Sequence, residues 1–264
     1  MGQSALIDRI SGWLQCLPGV VGAFLGGSFG RGEADDHSDV DVFVVATNPD
    51  KIPSVLESLV RRLEEVSPIL FSRTLPNPRT VNAITEDWLR FDLTVVAAAE
   101  LALLRREAVK PLFDPNDLYQ VIPSASGESP NKPPETLIDI VNEFIRVLGL
   151  SVVVKERDDL VVAQTGTNLM RDMLIQVMVL ENGIGPRRGV LALKRDLTQD
   201  QTDALLALPP PDATWASILR RTEAIARQFL PRARRFCEEL GGAWPREFER
   251  VTLAHVSEKL GLKL

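Results

Sequence analysis

Apolar positions recur along the chain with two different periods, and the change from one to the other divides it. Residues 4–17 place Leu6, Ile10, Trp13 or Leu14, and Leu17 at intervals of three and four before Pro18-Gly19, the spacing of an amphipathic helix that stops at its breakers. Val20 to Leu25 and Val40 to Ala46 read as strands; the second ends in the turn residues Asn48-Pro49-Asp50 and leads into a helix over Ser54 to Val66. Three further strand-like stretches follow, Ile69 to Leu75, Thr80 to Thr85 and Leu89 to Ala97, the first two separated by Pro-Asn-Pro. Helical and strand periods therefore mix over the first 120 residues.

The composition changes after KPLFDPNDL. VIPSASGESPNKPP, residues 121–134, offers a core almost nothing to bury and reads as a linker or mobile loop. From 135 onward the helical period takes over, in Leu137, Val141, Phe144, Ile145 and Leu148, then in Leu169, Met173, Leu174, Val177 and Leu180, with a final helix near Glu247 to Leu260. The expected organisation is a mixed domain over 1–120, a connection over 121–134 and a helical domain over 135–264.

Bulk properties narrow the chemistry. The chain has 264 residues, 45% hydrophobic and 25% charged, as a soluble globular protein does. No basic segment followed by a long apolar run reads as a secretory signal, and the Phe144–Val154 run is too short to span a bilayer. Cys16 and Cys237 match no metal or redox spacing, and two isolated thiols suit a reducing compartment; the expected location is the cytoplasm. Residues 1–134 carry 12 Lys and Arg against 18 Asp and Glu, and the remainder carry 18 of each. That balance lacks the basic excess of a typical nucleic-acid binder. The one basic concentration, Arg220 to Arg235, has its arginines spaced over helical turns, as on a solvated face.

The chemistry concentrates in LGGSFGRGEADDHSDVDVFVV, residues 25–45. Gly26 and Gly27 remove side chains where a turn must bring backbone N–H groups to an anion, and Ser28 adds a hydroxyl at the start of a short helix. The stretch lacks the Lys and spacing of a P-loop and is not a GxGxxG. Alternation along the next strand points Asp39 and Asp41 the same way while Val40, Val42 and Val44 face a core. Paired carboxylates with phosphate oxygens suit Mg²⁺. RFDLTVV, residues 90–96, repeats the pattern: Phe91, Leu93 and Val95 on one face, Asp92 with Arg90 and Thr94 on the other. If the two strands are neighbours, Asp92 joins the same site. His37 sits in a polar loop and His255 on the last helix, neither beside a plausible nucleophile, so a Ser or Cys triad is not expected.

Gly27-Ser28, a spacer of ten residues, Asp39-Val40-Asp41 and a later strand acid resemble the signature of the nucleotidyltransferase superfamily that includes DNA polymerase β. In Arg31-Gly32, Leu112-Phe113-Asp114 and a helical second half, the chain is similar to bacterial nucleotidyltransferases that modify aminoglycosides and lincosamides. The resemblance implies an α+β fold, with a mixed, largely antiparallel sheet flanked by helices followed by a helical bundle that binds the acceptor. It further implies two Mg²⁺ ions held by Asp39, Asp41 and Asp92, NTP phosphates held by Gly27, Ser28 and Arg31, and transfer of a nucleoside monophosphate to a small-molecule hydroxyl. The nucleotide is read as ATP, although no base-reading residues stand out. A carboxylate from the helical half acts as base in related enzymes, and Glu143 is a candidate for which an exposed helix Glu is the simpler account. Two alternatives stay open: transfer to tRNA or protein, as in toxins, for which Arg220 to Arg235 is the support, and a non-catalytic nucleotide-binding or antitoxin-like module.

Overall fold

A computed structural model describes residues 1–77, 79–124, 134–184 and 190–264. The chain divides into two compact units, Met1–Glu128 and Ser129–Leu264. The expected connection over 121–134 falls mostly outside the described residues. Of its first residues, Ile122 is fully buried with Phe24, Val45, Leu101 and Val109, so the first unit extends past 120.

The first unit is built on a six-stranded sheet. In chain order its elements are α1 (Gln3–Gln15), β1 (Val20–Leu25), α2 (Gly27–Arg31), β2 (Val40–Ala46), α3 (Ile52–Arg61), β3 (Ile69–Thr74), β4 (Thr80–Thr85), β5 (Arg90–Ala97) and β6 (Lys110–Phe113). The strand order is β3-β4-β5-β2-β1-β6. Among the described residues β2 and β5 run parallel and the other four pairings are antiparallel. This is the mixed, largely antiparallel α+β sheet expected from the family resemblance.

Alternation along β2 and β5 sets the layers. Val40, Val42, Val44, Phe91, Leu93 and Val95 are buried in one cluster with Leu6, Ile10 and Leu14 of α1 and Val55 and Leu59 of α3, so both helices cover one face of the sheet. The even–odd partners of these residues, Asp41 and Asp92, occupy the opposite face.

Two elements depart from expectation. The Ser54–Val66 helix ends as an α-helix at Arg61 and tightens into a 3₁₀ turn, Leu63–Glu65. Leu59, Leu63 and Val66 all stay buried, so helical spacing persists while a tighter turn satisfies the last carbonyls. β6 was not expected, because Pro111 interrupts the run. It pairs with β1 only, at the sheet edge, where a residue without an N–H is tolerated.

The second unit is helical: α4 (Pro134–Glu156), α5 (Leu160–Glu181), α6 (Leu193–Asp196), α7 (Gln199–Leu206), α8 (Trp215–Glu239) and α9 (Arg246–Leu260). Phe144 of α4 stacks on Phe229 of α8 with ring centroids 3.7 Å apart, at the centre of an apolar cluster that also takes in Leu148, Leu174, Val177 and Val256. Leu169, grouped with the apolar face of α5 on spacing alone, is exposed. No helix among the described residues is long and apolar enough to cross a membrane.

Candidate active site

Between β1 and β2 the backbone allows one residue type at a critical position. Gly26 continues the ladder by donating its N–H to the Asp41 carbonyl at 2.8 Å. Gly27 then turns into the left-handed region at φ +53°, and a β-carbon there would lie 1.8 Å from Asp41 Oδ2. Any side chain at 27 would displace that carboxylate. Gly30 is equally constrained, since its β-carbon would meet the Ala108 carbonyl at 2.2 Å. Short α2 is thus pressed against the sheet, and Ser28 on it is buried with a hydroxyl that has no hydrogen-bond partner. A buried orphan hydroxyl costs free energy unless something satisfies it.

The strand adjacency on which the third acid depended is present. β2 and β5 pair in parallel with Asp41 opposite Asp92, which puts both carboxylates side by side on the face away from α1 and α3. Asp39, one residue before β2, is half-buried, and its charge acts on both of the others. Burial first, then the carboxylates of Asp39 and Asp92, push the Asp41 pKa from 3.8 up to about 6; the guanidinium groups of Arg31 and Arg90 pull against that rise. Burial also raises Asp92, opposed by a hydrogen bond from the Asn82 side chain; Asp39 adds to the rise, and Arg90 and Arg73 oppose it.

Arg31 reaches the site as an electrostatic neighbour of Asp41, with its Nε on Glu33 Oε2 at 2.8 Å. Arg90 donates to the His37 carbonyl at 2.8 Å and so ties the 33–38 loop to the start of β5. His37 is exposed and enters this network through its backbone. Asp114 accepts from the N–H groups of Leu118 and Tyr119 at 2.8 and 2.7 Å, a turn-forming role. Glu143 is clamped by Arg146 at 2.6 and 2.7 Å, and that bond holds its carboxyl below the usual range, the reverse of what a general base needs. Asn82 and Arg73 were not singled out from sequence. Strand alternation together with the β3–β4–β5 hairpin registers would have found them.

Among the described residues no group of three or more His, Cys, Asp or Glu stands ready to enclose a metal ion. Mg²⁺ does not require such a cage, because it uses one or two carboxylates together with substrate phosphates and water. Two register-paired acids, a glycine packed on one of them and an orphan hydroxyl beside it fit a metal–phosphate group.

The first unit is thus a mixed sheet carrying neighbouring acids beside a glycine turn. Residues 7–110 match the family model described as nucleotidyltransferase domain. No curated protein matches the sequence. Among solved structures, similarity is found to an aminoglycoside 6-adenyltransferase from Bacillus subtilis, at TM-score 0.43 and 14% identity over 95% of both chains. A spectinomycin adenyltransferase from Enterococcus faecialis, solved with ATP and spectinomycin, matches at TM-score 0.39 and 13% identity over 87% of this chain and 98% of that one. A nucleotidyltransferase-like protein from Exiguobacterium sibiricum matches at TM-score 0.39 and 16% identity, over 98% and 88%.

Proposed function

We propose that the protein is a Mg²⁺-dependent nucleotidyltransferase that moves AMP from ATP to a hydroxyl of a small molecule. The observation that carries this reading is the side-by-side placement of Asp41 and Asp92, with Gly27 packed on the Asp41 carboxylate. Asp39, Asp41 and Asp92 would hold two Mg²⁺ ions. When bound, the metal neutralises charge that develops on the phosphates during in-line displacement.

The chain's own residues supply the rest. The Ser28 hydroxyl, buried without a partner, donates to the β and γ phosphates together with the backbone at Gly27, and Arg31 adds a guanidinium to the same oxygens. The acceptor oxygen forms a bond to the α phosphorus as the bond from that phosphorus to the β-phosphate bridging oxygen breaks, and pyrophosphate leaves. Asp92, made more basic by burial, takes the proton from the acceptor hydroxyl.

The second unit supports a small acceptor over RNA. In α8, Arg221 is buried on the Pro209 carbonyl, Arg232 and Arg235 both pair with Glu181, and Arg234 pairs with Glu249. Arginines held this way are engaged within the unit, which weakens the case for a free phosphate-binding stripe. Aminoglycosides and lincosamides are the acceptor classes the family resemblance puts first, with antibiotic resistance as the role they imply.

The test is pyrophosphate release with Mg²⁺ and each of the four NTPs across aminoglycosides, lincosamides and total tRNA. Release that needs ATP and a small acceptor and vanishes in Asp39→Asn and Asp41→Asn is the expected result. Release with tRNA alone would overturn the acceptor class, and absence of NTP binding by calorimetry would overturn the site.

A further inference from the structure

The row of side chains that contains Asp41 and Asp92 continues across the sheet. Pairing of β4 with β5 sets Asn82 opposite Asp92, and pairing of β3 with β4 sets Arg73 opposite Asn82. Arg73, Asn82, Asp92 and Asp41 therefore stand in line on one face of four adjacent strands, spaced at about 4.8 Å from strand to strand. Val81 and Ala83, on either side of Asn82, are buried with the apolar layer, so strand alternation turns the Asn82 amide to the face of the acids. Asn is disfavoured inside strands, which makes its position here informative.

We propose that Asn82 is a positioning residue that fixes the orientation of the Asp92 carboxylate beside Asp41. The inference rests on the reading of Asp92 as metal ligand and proton acceptor. A neutral amide suits the task, because it donates to one carboxylate oxygen without adding charge. A lysine there would neutralise Asp92, and a fourth acid would add to the repulsion already present in the row. Arg73, one strand further out and exposed, acts on Asp92 through a screened field rather than a contact.

The same sheet provides the design of a clean test. Two residues before Asn82, Thr80 pairs with Thr94 on β5 and their hydroxyls lie 3.0 Å apart. A β-branched hydroxyl on this face of β4 thus reaches across to β5. Asn82→Thr and Asn82→Val have the same shape and both favour strands, and they differ in the presence of a donor. Mn²⁺ binding to each protein with the non-hydrolysable analogue α,β-methylene-ATP is measured by calorimetry, alongside wild type and Asp92→Asn.

Expected is an Asp92-dependent Mn²⁺ affinity that Asn82→Val weakens about 10–100-fold and Asn82→Thr largely retains. Turnover should split the same way, with the KM for ATP unchanged because the phosphate contacts lie on the far side of Asp41. Wild-type Mn²⁺ binding that Asp92→Asn does not alter overturns the site reading itself. Asp92-dependent binding that is equal within about twofold in the Thr and Val proteins overturns the role of Asn82 alone.

Discussion

Replacing Asp41 by Asn should stabilise the metal-free protein at neutral pH while abolishing its function. The Asp41 carboxyl titrates at about 6 in the fold against an ordinary value of 3.8. Below 3.8 it is protonated in both states and contributes nothing. As pH rises through the window between these values, the unfolded chain gives up its proton while the fold retains it, so stability falls. Above about 6 the whole cost is present, and at about 1.4 kcal/mol for each pH unit it amounts to roughly 3 kcal/mol. Asn, which cannot ionise, escapes it. Urea unfolding in EDTA at pH steps from 4 to 8 should therefore show Asp41→Asn about 2–3 kcal/mol more stable than wild type at pH 7–8. The advantage should disappear by about pH 4. With Mg²⁺ and ATP the order reverses, because wild type gains ligand stabilisation that the variant cannot. A variant no more stable than wild type at pH 7, or a difference that does not change with pH, would refute the electrostatic account of this row.

Gly27→Ala should lose ATP-dependent thermal stabilisation and drop turnover at least about 100-fold, since its methyl group would fall 1.8 Å from Asp41 Oδ2 on a backbone at φ +53°; the local strain alone costs about 1–2 kcal/mol. Normal ATP binding by Gly27→Ala would show that the carboxylate is free to move. Ser28→Ala should separate stability from binding. Removing a buried hydroxyl that has no partner leaves the melting temperature unchanged or slightly raised, while the KM for ATP rises about 10-fold or more through loss of a charge-assisted hydrogen bond. A destabilised Ser28→Ala with an unaltered KM would mean the hydroxyl serves the fold.

What could be read from the sequence follows from where local constraint is strong. β1 and β2 begin and end where the pattern of apolar residues does, because a sheet face packed on α1 and α3 admits little else. The acids were visible because they break that pattern on a known face. Their adjacency was not visible, since the parallel β2–β5 pairing joins residues about fifty positions apart and depends on tertiary order. Leu169 shows the opposite failure: helical spacing marked it as core, yet it lies on the solvent side of its turn while Met170 beside it is buried. Asn82 was missed because a single polar residue in a short strand carries no signal until its partner across the hairpin is known.

The two halves of the chain also differ in how they reveal chemistry. In the proposed function a polyphosphate beside carboxylates needs backbone close to charge, and such a demand accounts for a glycine where a β-carbon would collide with an acid. The second unit makes no such demand. Its buried or partly buried charged groups are used within it: Glu249 accepts from Arg234 at 2.6 Å and from the Trp244 indole at 2.8 Å, and Glu181 serves both Arg232 and Arg235. Charge pairs of this kind hold helices in register and resemble, in sequence alone, the basic face of a nucleic-acid binder. Distinguishing them requires the partners. The arginine-rich stretch of α8, which kept an RNA acceptor open, loses much of that meaning once Arg221, Arg227, Arg232, Arg234 and Arg235 are followed to the carboxylates and carbonyl that hold them.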